Sequence, residues 1–359
     1  MSSSLAQKLE RFAEGENIDA TRLITREPEN ALEVFPELFI EDRPISEVEI
    51  LEALYKRLLK HIVSLDKKDL AYLASVAQKR TGFILKYKPH GIKATIPLGF
   101  SLFFLEPNEG FSFQRHIDIK TEMFNFISIS EGGFVYFCQM DEWEKMYSPK
   151  RFSAWLEGAF SPSFEQFRYI PKPGDVIRID KTNLVHTAIG CVLEEYSNIS
   201  TDMVDRLHDQ NKGKKIPPKF NRRYFSQKMD GICYPEKNHL IEYKKGKFIT
   251  SSLEWAQNDG IFMMPLMETP TYKAERVSLP ANSIWRLNTG GNFVSAFLSD
   301  GEVNCELTNS NENPVEKSFD LSRHDAFLSL PGCEWQIRNL SASDSCLSVL
   351  TVREKYALL

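Results

Sequence analysis

From about residue 85 to the C-terminus the chain is built of short apolar runs cut by Gly, Pro, Asn and Asp. GIKATIPLGFSLFFLEPNEG, at residues 91–110, and MFNFISISEGGFVYFC, at 123–138, are typical. Runs of this length with turn residues between them form strands, and many such strands close into sandwiches or barrels. The same texture returns at residues 265–359, in RVSLPANSIWRLNTGGNFVSAFLSDGEVNCEL and the runs after it. The fold class expected is therefore mainly β.

The two β regions look like copies of one module. KPGDVIRIDKTNLVH and SRHDAFLSLPGCEWQ both run turn, Asp, alternating apolar strand, turn, a weak internal repeat. Eleven residues after Asp175 stands His186, and eleven after Asp325 stands Gln336, so the second copy keeps the framework and lacks the histidine.

Residues 1–84 read differently. In ISEVEILEALYKRLLKHIVSL the residues Val48, Ile50, Leu51, Leu54, Leu58, Leu59 and Ile62 fall at helical spacing. KKDLAYLASVAQKR, at 67–80, is a second short helix. The organisation expected is an N-terminal helical region (1–84), a first β module (85–215), a linker or irregular segment (216–264) and a second β module (265–359). YSPKRFSAWLEGAF, at 147–160, reads as a helical or loop insertion in the first module.

Charge narrows the partners. A net charge of -5 is no footprint for nucleic acid, which selects a basic domain. No apolar run approaches the roughly 20 residues that span a bilayer. The N-terminal MSSSLAQKLERFAEGEN lacks the basic-then-apolar layout of a secretory signal. The six cysteines, 138, 191, 233, 305, 333 and 346, form no CxxC pair, and reduced thiols in a cytoplasmic protein are expected.

The chemistry concentrates in FQRHIDIKTE, residues 113–122. Gln114, His116, Asp118, Lys120 and Glu122 alternate with mostly apolar neighbours, so ligand-type side chains share one strand face. On a straight strand Glu122 would lie about 20 Å beyond His116. The two reach one ion only if the chain turns between about 118 and 121. His186, closing an alternating run after the Pro-Gly-Asp turn, is the best second imidazole. Gln114, His116, Glu122 and His186 are thus the candidate metal ligands, a mixed N/O set suited to zinc, iron or manganese. Asp118 has three roles open to it: ligand, acceptor for an imidazole N–H, or solvated strand residue.

The pattern of His, acid and Glu followed by PGDVIRIDKTNLVH resembles the two short motifs of cupins. A closer resemblance is to type I mannose-6-phosphate isomerases, which are two-cupin proteins. In that family Gln-x-His, Lys-Thr-Glu and His-Ala-Ile-Gly motifs supply the zinc ligands, and this chain has QRH (114–116), KTE (120–122) and HTAIG (186–190). The resemblance implies a bicupin fold, with Gln114, His116, Glu122 and His186 as ligands of a divalent metal, zinc first. Arg206 and Asp209 fall on the family's Arg and Asp, and its catalytic Arg falls on Lys212. The chain departs from the family at Ile117, where a Pro is usual, and in the short segment between His116 and KTE.

The function implied is a metal-dependent aldose–ketose isomerase of a sugar or sugar phosphate, working through an enediol. Asp118, Lys120, Asp209 or Lys212 would move the proton, and Arg206 or Lys212 would steady the enediolate or a phosphate. One alternative is a non-haem Fe(II) oxygenase, possibly using 2-oxoglutarate, with His116, Asp118 and His186 as its facial triad. The other is a sugar-binding cupin without catalysis.

Overall fold

A computed structural model describes residues 84–88, 91–96, 100–116, 120–179, 183–197, 204–209, 228–244, 246–310, 318–329 and 332–353. The helices expected before residue 84, Asp118, Lys212 and the basic loop at 212–223 lie outside the described residues.

The first β region contains β1 (Ile84–Lys88), β2 (Gly91–Ile96), β3 (Phe100–Phe104), β4 (Phe113–His116), β5 (Glu122–Gln139), β6 (Arg168–Tyr169), β7 (Asp175–Ile179), β8 (Leu184–Ser197) and β9 (Val204–His208). Between β5 and β6 lie three short helices, α1 (Met140–Met146), α2 (Pro149–Leu156) and α3 (Pro162–Glu165). β10 (Asn238–Lys244) and β11 (Lys247–Leu253) follow. These strands form one strongly bent sheet in the order β1-β2-β3-β8-β5-β7-β10-β11, with β4 pairing β8 and β9.

The second region contains β12 (Ala256–Asn258), β13 (Ile261–Glu268), β14 (Tyr272–Leu279), β15 (Ile284–Asn288), β16 (Asn292–Asp300), β17 (Glu302–Ser310), β18 (Ser318–Ser322), β19 (Ala326–Ser329), β20 (Cys333–Asn339) and β21 (Ser345–Arg353). They form two sheets, β12-β13-β14-β21-β16-β19 and β15-β20-β17-β18. Each region has its own buried cluster. Phe113, Phe124, Tyr136 and Phe152 belong to the first, and Trp285, Phe327, Trp335 and Ile337 to the second. The mainly β, two-module architecture expected from the sequence is the one observed.

The first module owes its shape to β5 and β8. They pair antiparallel along their whole length, from Glu122 opposite Ser197 to Gln139 opposite Leu184. The register shifts between Phe126 and Ser128 and again between Ile129 and Phe134, where Gly132 and Gly133 sit. Gly190, at φ +61, faces that bend from β8. Such bulges bend both strands sharply, and the ribbon folds back so that its two ends face each other across the interior. The insertion covers the outside. α1 starts with a capping box in which the Gln139 N–H donates to Glu142 Oε2 at 2.8 Å. Trp143 and Phe152 then pack on Phe113.

The internal repeat is visible in two matching turns. Asp175 Oδ2 accepts from the Lys172 N–H at 2.8 Å, and Asp325 Oδ2 accepts from the Ser322 N–H at 3.0 Å. The third turn residue has positive φ in both, Gly174 at +92 and His324 at +72. Counting onward from the aspartates nevertheless misaligns the strands. Gln336 lies on the half-buried face of β20, while Trp335 and Ile337 enter the core.

Residues 238–253 form a hairpin, although 216–264 reads as a linker by sequence. β10 pairs parallel with β7 and buries Ile241 and Tyr243. Glu242 is half-buried and Lys244 and Lys247 are exposed, and these charged residues give the stretch its loop-like composition. No helix among the described residues is long and apolar enough to cross a membrane.

Candidate metal centre

β4 ends at His116 and β5 begins at Glu122, so the two do not continue one strand. β4 lies beside β8, with Gln114 paired to His186. Along a straight strand the positions of Glu122 and Phe137, the residue facing His186, would be about 50 Å apart. The bend in the ribbon removes that distance. Glu122 Oε1 lies 3.1 Å from His116 Nε2 and 2.9 Å from His186 Nε2. All three side chains are buried, at 0%, 1% and 0% exposure for His116, Glu122 and His186.

The spacing is that of hydrogen bonds, but the directions are not. His116 Nε2, His186 Nε2 and Glu122 Oε1 have no partner of acceptable hydrogen-bond geometry. Their ligand atoms lie within 4.8 Å of one another. Three buried polar atoms left unpaired are costly. Two imidazole nitrogens and a carboxylate oxygen converging on one point are what a divalent cation needs, so these residues fit a metal.

The protonation states agree with ligation. His186 Nδ1 lies 3.1 Å from the Leu184 carbonyl oxygen. Donation there directs the Nε2 lone pair at the site. Burial pushes His116 below its ordinary value, and the pull of Glu122 does not restore it, so the ring is neutral at neutral pH. Burial pushes Glu122 up, but the Lys120 ammonium and then His116 outweigh it and hold the carboxyl well below the carboxylate range. Lys120 Nζ sits 2.7 Å from Glu122 Oε2. One carboxylate thus faces the imidazoles with one oxygen and the lysine with the other.

The remaining candidates are placed as follows. Gln114 shares its strand face with His116 and is half-buried, and its Oε1 accepts from Ser112 Oγ at 3.0 Å. Arg206 is exposed on β9, opposite Gln114 in the sheet, and Asp209 is exposed just after that strand. Asp118 and Lys212 lie outside the described residues. Sequence reasoning missed Ser112 and the Leu184 carbonyl, which orient Gln114 and His186. A backbone oxygen carries no sequence signal, and a lone serine carries little.

No protein-family model matches the chain, and no curated protein matches it. Solved structures do resemble it. Oxalate decarboxylase from Bacillus subtilis matches at 10% identity and TM-score 0.46, covering 76% of this chain and 74% of that one. Mannose 6-phosphate isomerase from Bacillus subtilis matches at 14% identity and TM-score 0.45, covering 71% of this chain and 75% of that one. The Cnp3 cupin domain of Schizosaccharomyces pombe matches at 13% identity and TM-score 0.26, covering 34% of this chain and 90% of the domain. These are cupin-fold proteins. They include enzymes as well as a domain named only for its fold.

Proposed function

We propose that the protein is a metal-dependent aldose–ketose isomerase acting on a sugar or sugar phosphate. The observation that carries this reading is the shared carboxylate. Glu122 meets His116 and His186 through one oxygen and Lys120 through the other. His116, Glu122 and His186, with Gln114 beside them, would hold the ion. Zinc is the first candidate, with iron or manganese as alternatives. A bound divalent ion supplies a Lewis acid for a substrate carbonyl oxygen.

The chain's own groups do the rest. Isomerisation moves a proton between two adjacent carbons and develops negative charge on oxygen. Lys120, 13% exposed, keeps Glu122 ionised and is a fixed cation at the edge of the centre. It supports a developing oxyanion as a donor. Arg206, exposed on the strand beside Gln114, offers a planar cationic donor for a phosphate. The proton carrier belongs to the set Asp118, Lys120, Asp209 and Lys212.

A second reading draws on the same composition. Two histidines and one carboxylate also make a non-haem Fe(II) triad. In that reading as the sequence framed it, the carboxylate is Asp118, whereas the side chain between the imidazoles is Glu122. A third, non-catalytic sugar binding, retains the metal without turnover. Incubating the metal-loaded protein with hexose 6-phosphates in D2O separates the three. The isomerase reading expects aldose–ketose interconversion, lost in Glu122→Gln. Oxygen consumption with 2-oxoglutarate supports the second reading, and tight metal without either reaction supports the third.

A further inference from the structure

β9 carries Arg206 at the margin of the first sheet. Among the described residues it pairs with β4 alone, from Phe113 opposite His208 to His116 opposite Val204. The register shifts between Phe113 and Gln114, where β9 has Leu207 as an extra residue. On a regular strand Arg206 and His208 would point the same way. A bulge undoes that, because the extra residue re-aims the side chains around it. Arg206 therefore shares the face of its partner Gln114, which also carries His116, and His208 shares the opposite face with its partner Phe113.

On that opposite face His208 is seated among Phe113 and two aromatic residues of the helical insertion. Its ring centre lies 6.1 Å from that of Phe113, 5.0 Å from Phe152 and 6.2 Å from Tyr147. The Tyr147 hydroxyl is 3.1 Å from His208 Nδ1. Leu207 packs on the same core. A second side-chain tie joins β9 to β4, the Arg115–Asp205 ion pair at 3.1 Å, with both side chains half-exposed. A pair that open to solvent holds little.

We propose that His208 and Tyr147 are positioning residues that anchor β9 and so hold Arg206 on the metal face as the binding group for a substrate phosphate. The assignment rests on the sugar phosphate isomerase reading and gives its substrate selectivity a structural source. A short strand with one ladder neighbour frays readily. Whenever β9 is undocked Arg206 leaves the site, so phosphate affinity scales with the fraction of molecules in which the strand is docked. A free sugar makes no use of the guanidinium and is indifferent to the anchor. The tie thereby sets the preference for phosphorylated over free sugars without touching either.

Full-length protein is titrated calorimetrically with fructose 6-phosphate and with fructose, and interconversion is followed in parallel. Arg206→Ala is expected to weaken the 6-phosphate about tenfold and to leave fructose unchanged. Tyr147→Phe and His208→Leu are each expected to weaken it about fivefold, the worth of one neutral hydrogen bond, again with no effect on fructose. Added to Arg206→Ala, either should cost nothing further, since the strand then has no guanidinium to place. Should His208→Leu fail to fold, Tyr147→Phe alone carries the test, with the same expectation. Equal losses for both sugars, losses that add to that of Arg206→Ala, or wild-type affinity in both anchor variants would overturn the proposal. So would a wild type that binds the 6-phosphate no better than fructose. A wild type that prefers the 6-phosphate through Arg206 and its anchor, yet never interconverts it, would refute the isomerase and leave this inference standing.

Discussion

The α-carbon of Gly133 lies against the carbonyl oxygen of Gly190, so close that a β-carbon at Gly133 would stand 2.4 Å from it. That contact sits at the fold in the β5–β8 ribbon. It is what lets Glu122, at one end of the ribbon, meet His186, near the other.

Gly133→Ala should therefore disturb both fold and site. The clash is with backbone, which cannot rotate away, and overpacking of this kind costs about 1–3 kcal/mol. Metal affinity should fall with stability, because straightening the bend parts the ligands. Gly132→Ala is the control. A β-carbon there meets nothing within 4 Å, and only its φ of +77 opposes the change. Its cost should be about 1 kcal/mol, with metal binding unchanged. Urea midpoints and Co2+ titrations of the two variants check both statements.

The seam between the modules should be sensitive to Glu194. Its buried carboxylate accepts from Asn125 Nδ2 at 2.7 Å and Tyr196 Oη at 3.2 Å within the first module. It also accepts from Ser348 Oγ of the second module at 2.7 Å. Glu194→Ala leaves three buried donors facing a void and should cost about 3 kcal/mol or more. Ser348→Ala removes one neutral partner and should cost about 1–2 kcal/mol. Chemical denaturation of both variants gives the comparison.

The β texture is legible because it is local, and so are the residue types of His116, Glu122 and His186, the three candidates that the fold brings together. Alternation in FQRH puts Gln114 and His116 on one face, but His186 does not close the run that follows the Pro-Gly-Asp turn: that run is β7, and His186 is the third residue of β8. What made the site was not local. The bend depends on Gly133 and Gly190 meeting from strands far apart in sequence, and no window containing one of them points to the other. The β10–β11 hairpin is hidden by its lysines and Glu242, which mask the inward row of Ile241 and Tyr243. Gln336 was matched to His186 by counting from the turn, and the strands following the two turns differ in which residues face the core.

Stability should depend on pH through His324. Burial, then the neighbouring Arg323, lowers this histidine to about 4 against the pull of Asp230 and Asp300. The unfolded chain takes up a proton near pH 6.5, and the folded chain does not until about 4. The histidine's contribution is thus full above pH 6.5 and is lost as the pH falls from there towards 4. His324→Asn does not titrate and tolerates the φ of +72. Its urea midpoint should fall less than that of the wild type between pH 7.5 and 4.5.

Metal content of the purified protein tests the central claim most directly, measured on wild type, Glu122→Ala and Asp118→Ala side by side. The expected result is about one divalent ion per chain in the wild type, absent from Glu122→Ala and retained by Asp118→Ala. A wild type without metal that cannot be loaded would contradict the account. So would metal that survives the loss of Glu122 and disappears with Asp118.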